Sequence, residues 1–244
     1  MSVQLKASLR TGDLRKIRRG EVLGRYSDAP WGTRFFLALR WFWTPYEEMA
    51  CLLPVSGKIL DGGSGHGLFS ITLALQSPAR KVKGIDHSSP RIGMAQKAAQ
   101  GLENLSFTRG DFGGFGKNRY DGLAFVDVLH YLPYEAQGEL IKEAFRRLRP
   151  GGILLFRDVD RKPGLASFWN RFHETLMTAM GFTQAEELHF RSSREWEDLA
   201  RRAGFQTRSK PTGRFPFADV LFWCRKPSPA FSTRGLTKKA KVPY

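Results

Sequence analysis

Between residues 57 and 160, short apolar runs alternate with longer stretches that have apolar residues at helical spacing. The apolar runs predict buried strands, which lie in GKILDGG, KVKGIDHSS, NLSFTRGDF, YDGLAFVDVLH and PGGILLFRDVD. The stretches with helical spacing predict helices in LFSITLALQ, SSPRIGMAQKAAQ and EAQGELIKEAFRRL. Strands that alternate with helices pair in parallel through right-handed crossovers, so the pattern predicts a parallel sheet covered by helices on both faces.

Beyond residue 160 the pattern predicts two more helices and then two more strands. The helices are expected around residues 165–179 and in SSREWEDLARRAG, and the strands in FQTRSKPT and FPFADVLFWCRK. Only the short PTGRFP separates the two strands, which favours an antiparallel hairpin. The predicted fold class is therefore α/β, with a seven-stranded, mostly parallel sheet and a C-terminal antiparallel hairpin.

The composition is that of a folded protein with one domain and appended ends. The chain has 244 residues, of which 41% are hydrophobic and 25% charged. Its two cysteines, Cys51 and Cys224, form neither a disulfide framework nor a zinc motif, which favours a reducing compartment. The N-terminus lacks an export signal, and RFFLALRWFW is too short to span a bilayer. The expected localisation is cytoplasmic, with peripheral contact to the inner membrane face left open.

The charge balance is strongly basic, with 39 Lys and Arg against 23 Asp and Glu and a net charge of +16. Such a chain attracts anions without selecting among nucleic acid, an anionic membrane, an acidic protein and a phosphorylated substrate. Much of the charge lies at the two ends. Residues 1–50 are expected to form a basic, aromatic extension or substrate lid, 51–226 the sheet domain, and 227–244 a basic, loosely ordered tail.

A glycine-rich turn follows the first predicted strand in ILDGGSGHGLFS, residues 59 to 70. A strand, a glycine turn and a helix at the carboxyl edge of a parallel sheet bring backbone close to a bound cofactor. The dinucleotide fingerprint would require glycine at positions 63, 65 and 68, and position 68 is Leu68. The spacing present is instead Asp61-x-Gly63-x-Gly65-x-Gly67.

This spacing resembles the first motif of class I S-adenosylmethionine-dependent methyltransferases, and further motifs match in order over about residues 55 to 226. The resemblance implies a Rossmann-like fold and S-adenosylmethionine as cofactor, with S-adenosylhomocysteine as product. In this family an acidic residue at the end of the first strand holds the turn and the cofactor's amino group. Another acidic residue, at the end of the second strand, accepts charge-assisted hydrogen bonds from both ribose hydroxyls. In this sequence the first of these residues is Asp61 and the second is Asp86.

The resemblance extends to the rest of the cofactor site. Residues after the third strand contact adenine, and residues after the fourth line the methionine end. The cofactor-binding residues implied are Asp61, Gly62, Gly63, Ser64, Gly65, Gly67, Asp86, His87, Gly110, Asp111, Phe112, Asp127, Val128 and Leu129.

Methyl transfer is an in-line displacement, for which the protein mainly aligns the reactants and excludes water. An oxygen acceptor reacts better once deprotonated, so a base or a polarising cation would help. The candidates are His130, Tyr131 and Asp158, which follow the fourth and fifth strands. A structural role for His130 and a pocket-lining role for Tyr131 remain alternatives. Asp158 and Asp160 resemble metal-binding carboxylates of catechol-type methyltransferases, but the companion Asp-Asn pattern is absent and no metal site is predicted.

The acceptor is the open part of the prediction. Asp127-Val128-Leu129-His130 replaces the Pro-Pro motif of enzymes that methylate base amines, and the Pro-Cys nucleophile of cytosine-C5 enzymes is missing. The aromatic and basic stretch RYSDAPWGTRFFLALRWFWTPYEEM predicts either a substrate lid or an ordinary packed helix.

A finer resemblance, to bacterial methyltransferases associated with aryl-polyene or lipid-like biosynthesis, lies in RWFWTPYEEMACLLPVSGKILDGGSGHGLFS, DVLHYLP, RDVDRK and FPFADVLFWCRK. It implies a hydrophobic acceptor. An acidic acyl carrier protein that presents this acceptor would be attracted by the basic chain. The expected function is O-methylation of a small hydrophobic acceptor, with C-methylation second. The alternatives are a tRNA or rRNA methyltransferase and a non-catalytic protein that binds S-adenosylmethionine.

Overall fold

A computed structural model of the protein describes residues 14–111, 116, 118–161, 188–213 and 218–228. Its centre is a seven-stranded sheet with the order β3-β2-β1-β4-β5-β7-β6. The strands are β1 (Gly57–Gly62), β2 (Arg80–Asp86), β3 (Leu105–Arg109), β4 (Tyr120–Val126), β5 (Leu148–Val159), β6 (Gln206–Pro211) and β7 (Asp219–Arg225). The first five strands are parallel, and β7 runs antiparallel to both β5 and β6.

The described helices are α1 (Arg19–Leu23), α2 (Trp31–Trp43), α3 (Tyr46–Ala50), α4 (Leu68–Gln76), α5 (Ser89–Ala98), α6 (Tyr134–Arg147) and α7 (Ser193–Arg202). Short 3-10 turns lie at Gly24–Tyr26 and Leu129–Tyr131. Ser192 caps α7 by accepting a hydrogen bond from Glu195 N, and the Glu195 side chain accepts one from Ser192 N in return. This capping box satisfies donors that the first helical turn leaves without partners.

Helices cover the sheet on both faces, and a hydrophobic core lies under each cover. One core contains α4, which is buried along nearly its whole length, together with Leu37 and Met49 from the N-terminal helices. The other contains the inward side of α6 and Trp196 of α7. A helix that is apolar all round, such as α4, requires this enclosed position.

One charged side chain, Arg80 at the start of β2, is completely buried. Its guanidinium donates hydrogen bonds to carbonyl oxygens of Ala50, Leu53, Pro54 and Leu73 and to the side chain of Gln76. Ala50 ends α3 and Leu73 lies in the last turn of α4, where carbonyls lack helical partners. Burial lowers the pKa of Arg80 to about 10, so the side chain stays charged at neutral pH. Arg80 therefore ties two helix ends to the sheet.

The predicted fold class is confirmed. The seven strands, the parallel arrangement of the first five and the antiparallel hairpin agree with the pattern of apolar residues. The helix predicted around residues 165–179 and most of the predicted tail, residues 229–244, lie outside the described residues. Among the helices that the structure describes, none combines the length and the apolar character needed to cross a membrane.

Candidate active site

A cleft opens at the carboxyl ends of β1, β2 and β4, the edge at which open α/β sheets bind ligands. About 910 Å³ of space outside protein atoms lies among its lining residues, and this volume includes open solvent. The turn after β1 and the start of α4 form one wall. The end of β2 forms a second, and α2 contributes a third.

The glycines of the turn after β1 serve two different purposes. Gly63, Gly65 and Gly67 have φ values of 71°, 54° and 87°, which side chains rarely adopt. A Cβ at Gly67 would also lie 2.6 Å from the Phe107 ring, so glycine is required there by the protein's own packing. A Cβ at Gly65 would meet no protein atom within 4 Å. A side chain at position 65 would thus enter open space, and Gly65 lines the cleft.

Asp86 ends β2 at the floor of the cleft and is 5% exposed. Its Oδ2 accepts a hydrogen bond from Gly65 N at 2.8 Å, and its Oδ1 accepts one from Ser88 N at 2.9 Å. Each carboxylate oxygen keeps a second lone pair. Close by, the buried Ser64 hydroxyl has no hydrogen-bond partner among the described residues. These groups fit a ligand with sugar hydroxyls, such as the ribose of a nucleoside.

Asp61 lies at the end of β1 and is 1% exposed. Burial raises the pKa of Asp61 to about 7, and the negative charge of Asp86 adds to this rise. A 2.5 Å hydrogen bond from Ser70 Oγ acts in the opposite direction and lowers the pKa. A cation beside this carboxyl group would offset its desolvation. Asp61 therefore fits the amino group of S-adenosylmethionine, as the resemblance implies.

A chain of alternating charges runs from the cleft into the protein. Arg40 of α2 donates to Asp127 Oδ2 at 3.1 Å, and Arg157 of β5 donates to Asp127 Oδ1 at 2.5 Å. Arg157, which is 3% exposed, also donates to Asp219 at the start of β7. Burial alone would lower the pKa of Arg157, but the two carboxylates raise it, so the guanidinium is charged. The chain joins α2, the end of β4, and strands β5 and β7.

Asp127 is the one residue other than glycine with a positive φ, 54°, among those described. This left-handed conformation costs a non-glycine residue about 1–2 kcal/mol. Salt bridges to Arg40 and Arg157 hold the side chain in place and offset this strain. Backbone strain of this kind occurs often at functional sites, and Asp127 lines the cleft.

The part of the cleft formed by α2 is lined mainly by aromatic side chains and one cation. Phe36, Tyr46 and Tyr131 line it together with Arg40. Burial alone would lower the pKa of Arg40, but Tyr46, Asp127 and Tyr131 raise it above its ordinary value. A cation fixed beside two phenols in a partly closed cleft can stabilise a negatively charged oxygen.

Two of the three predicted catalytic residues lie behind the cleft wall. The His130 ring is 1% exposed, and its Nδ1 lies 2.6 Å from Asp158 Oδ1, while Asp158 Oδ2 accepts from His130 N at 3.1 Å. Neither side chain lines the cleft, whereas the third residue, Tyr131, does. Asp160 accepts hydrogen bonds from Ser193 at the start of α7. In the described part of the chain, no three His, Cys, Asp or Glu side chains form a group that could hold a metal.

The structure brings most of the predicted cofactor residues to one cleft. Asp61, Gly63, Ser64, Gly65, Asp86, His87, Asp127 and Val128 line it. Gly62, Gly67, Gly110 and Leu129 do not line it, Asp111 is exposed and does not line it, and Phe112 is not among the described residues. Gly110 still supports the site, because its N–H donates to Asp86 O at 3.0 Å.

Sequence analysis did not assign several lining residues. They include Phe36, Leu37, Arg40, Tyr46, Phe69 and Arg91. The aromatic and basic stretch before β1 was the available signal for the first four, and it did not separate a lid from a packed helix. The structure shows that α2 both packs on the core through Leu37 and lines the cleft.

Comparison with known proteins gives matches to methyltransferases. Residues 41–210 match the family model described as Methyltransferase domain. Over 110 residues the chain is 27% identical to the ubiquinone biosynthesis O-methyltransferase of Pseudomonas savastanoi pv. phaseolicola, a match that covers 43% of this chain and 46% of that protein. Over 142 residues it is 28% identical to the tRNA N(3)-methylcytidine methyltransferase Mettl2 of Drosophila melanogaster, covering 52% of this chain and 44% of that protein.

The chain thus spans about half the length of the curated relatives it matches. Among solved structures, an O-methyltransferase family protein from Burkholderia thailandensis superposes with a TM-score of 0.64 at 20% identity, over 84% of this chain and 62% of that one. This likeness shows the fold. The family match bears out the expected class I methyltransferase resemblance and its cofactor, S-adenosylmethionine. The chain belongs to the methyltransferase domain family and has the Rossmann-like fold of the class I enzymes.

Proposed function

We propose that the protein transfers a methyl group from S-adenosylmethionine to an ionisable oxygen, a phenol or a carboxylic acid, of a small hydrophobic acceptor. One observation carries the proposal. The cleft joins a nucleoside-binding end, built by the glycine turn and Asp86, to an aromatic end that contains a fixed cation, Arg40. An acceptor oxygen that has lost its proton would be stabilised beside this cation.

In this proposal the chain's own residues bind and orient the reactants. Bound S-adenosylmethionine supplies a methyl group on a positively charged sulfur. Asp86 accepts hydrogen bonds from the ribose hydroxyls, Asp61 binds the amino group, and the backbone beside Gly65 leaves room for the ligand. The aromatic lining of α2 excludes water from the acceptor, and residues 1–50 accordingly act as a substrate lid joined to a methyltransferase domain of residues 51–226.

The predicted catalytic residues take distinct parts in the proposal. Tyr131 contacts the acceptor, because it lines the cleft near Arg40. His130 and Asp158 form a buried pair directly behind it, and the His130 ring packs on the Tyr131 ring with centroids 4.2 Å apart. We assign this pair the role of positioning Tyr131.

The direct test uses S-adenosylmethionine with a deuterated methyl group. The protein is incubated with phenols, carboxylic acids, the same acids on an acidic acyl carrier protein, and total tRNA, and the products are analysed by mass spectrometry. We expect label in a phenol ether or a carboxylic ester. Label in RNA together with steeply salt-dependent RNA binding would establish the tRNA or rRNA alternative. Cofactor binding without turnover of any acceptor would favour the non-catalytic alternative.

The carrier-bound acceptor is a finer proposal that the charge supports. Acyl carrier proteins are acidic, and a partner of net charge +16 would be steered toward them. In the labelling experiment, a carrier-bound acid should then be methylated faster than the free acid. The difference should shrink as salt screens the attraction.

Cofactor affinity should depend on pH through Asp61. The pKa of Asp61 is about 7 in the ligand-free protein, and a bound amino group would lower it. Binding therefore releases a proton below pH 7, and affinity should fall as the pH falls, by up to about tenfold per pH unit. Calorimetry with S-adenosylmethionine at pH 6, 7 and 8 measures this. In Asp61→Asn the dependence should be lost, and an equally steep dependence in that variant would contradict the assignment.

Two glycines of the turn should respond differently to alanine. Gly65→Ala places a methyl group where no protein atom lies within 4 Å, so it should lower cofactor affinity about tenfold or more with a stability cost of about 1 kcal/mol. Gly67→Ala drives its methyl group into the Phe107 ring and should destabilise the fold by about 2–3 kcal/mol. Thermal unfolding without ligand and calorimetry with S-adenosylmethionine separate the two effects. Wild-type affinity in Gly65→Ala would place the cofactor elsewhere.

Tyr131→Phe should slow methyl transfer without weakening cofactor binding. The substitution keeps the ring in the cleft wall and removes only the hydroxyl, so we expect kcat to fall by about tenfold or more. The measurement is the rate of S-adenosylhomocysteine formation with the acceptor identified above. Tyr134→Phe is the matched control, since Tyr134 lies on α6 and does not line the cleft. Equal rates in the two variants would make Tyr131 a lining residue only.

A further inference from the structure

The outward side of α2 carries large aromatic side chains in solvent. Trp31 is 82% exposed, Phe35 59% and Phe42 54%. At about 100° per residue these positions fall on one side of the helix, which we call the aromatic stripe. The opposite side of the same helix is buried at Leu37 and lines the cleft with Arg40. Exposed apolar groups gathered on one side of a helix indicate an interaction surface.

The N-terminal segment that contains the aromatic stripe is basic. Residues 14–43 contain seven Lys and Arg against two acidic residues, and α2 itself contains no acidic residue. Lys16, Arg18, Arg19 and Arg34 are exposed, and α1, which contains Arg19, packs against α2. A segment that combines an aromatic helix side with an excess of basic residues has the composition of one that lies in a membrane interface.

We propose that the aromatic stripe docks the protein on an anionic lipid surface. The three aromatic rings enter the headgroup region of the bilayer, and the exposed Lys and Arg side chains of residues 14–43 contact lipid phosphates. A protein partner would need about 800 Å² of matched surface on each side, with placed hydrogen-bond partners. The aromatic stripe is one side of a single helix, and that helix contains basic residues but no acidic ones. A fluid, negatively charged surface accommodates such a helix without matched contacts.

This surface lies outside the cleft, so the inference goes beyond the proposed methyl transfer and does not depend on it. Its consequence for the cleft follows from α2, which carries the aromatic stripe on one side and cleft residues on the other. A docked protein would hold the acceptor end of the cleft close to the bilayer. Hydrophobic acceptors concentrate there, because their apolar surface leaves water.

The test is flotation of the full chain with vesicles. One set contains equal parts of phosphatidylcholine and phosphatidylglycerol, and the other contains phosphatidylcholine alone. We expect the wild type to bind the anionic vesicles, and this binding should weaken as salt is added. The double variant Trp31→Ser/Phe35→Ser should bind the same vesicles at least about tenfold more weakly. Phe42→Ser serves as a second variant. Tyr134→Ser, at an exposed aromatic residue on α6, is the control and should bind as the wild type does.

Each outcome decides the proposal. Because Trp31, Phe35 and Phe42 are exposed, thermal unfolding should show that the stripe variants fold as the wild type does. Equal flotation of the wild type and both stripe variants would overturn the proposal, since charge elsewhere on the chain would then account for binding. Failure of the wild type to float with anionic vesicles would also overturn it. So would binding to an acidic carrier protein that the stripe substitutions abolish while vesicle binding is unchanged.

Discussion

Replacing Arg157 with methionine is expected to lower the free energy of unfolding by about 3–5 kcal/mol. Methionine fills a similar volume but leaves the carboxylates of Asp127 and Asp219 buried without their shared cation. Chemical denaturation at pH 7.5 measures the loss. Arg161→Met is the matched control, because the Arg161–Glu195 pair is exposed and should contribute less than about 1 kcal/mol.

The pH dependence of the variant gives a second, independent signature. Burial raises the pKa of Asp219 to about 6 even with Arg157 present, so the folded state binds protons more readily than the unfolded state. The corresponding stability is fully present below about pH 4 and is lost as the pH rises through 6. Without Arg157 the pKa should rise further, so the variant should regain stability between pH 8 and pH 5. A stability deficit that does not change over this range would contradict the buried charge chain.

Replacing Asp86 with alanine should weaken S-adenosylmethionine binding by about 1–3 kcal/mol, or roughly tenfold to a hundredfold. The alanine side chain cannot accept hydrogen bonds from the ribose hydroxyls. The substitution also removes the carboxylate that accepts the hydrogen bond from Gly65 N, and this bond shapes the turn. Calorimetry gives the affinity directly. A wild-type dissociation constant in this variant would refute the ribose assignment.

Two controls separate ligand contact from support of the turn. Asp86→Asn keeps an oxygen that can accept from Gly65 N but loses the charge, so its affinity should lie between those of the wild type and the alanine variant. Asp121→Ala removes a carboxylate that accepts from Lys58 N at 2.8 Å at the opposite end of the sheet. It should reduce stability without changing cofactor affinity. Loss of affinity in both alanine variants would indicate a general effect on folding.

Much of the fold is predictable because local patterns decide it. The predicted helix LFSITLALQ coincides with α4 at both ends, since an apolar run of that length after a glycine turn has no polar side to expose. The strands were recognised for the same reason. Strand β5 begins at Leu148, two residues before the predicted start at Pro150, because Tyr120 pairs with Leu148 across an irregular register.

The chain of alternating charges from Arg40 to Asp219 could not be predicted from the sequence, because its residues meet only in the tertiary structure. Arg157 and Asp219 approach each other because β7 pairs antiparallel with β5, and Arg40 joins the chain through Asp127 because α2 lines the cleft. Nothing in the local sequence of these residues distinguishes them from surface charges. The Asp61 and Asp86 positions were found because a motif with fixed spacing identifies them. Their roles stay predictions that the pH and affinity experiments test.

The Phe107 ring links the turn after β1 to two neighbouring strands, because the missing side chains of Gly67 and Gly84 make its space. A Cβ at Gly84 would lie 2.4 Å from that ring. Positions 84 and 107 should therefore not vary independently during evolution. A homologue with a larger residue at one of them is expected to carry a smaller one at the other, and the cofactor turn should keep its shape through this exchange of volume.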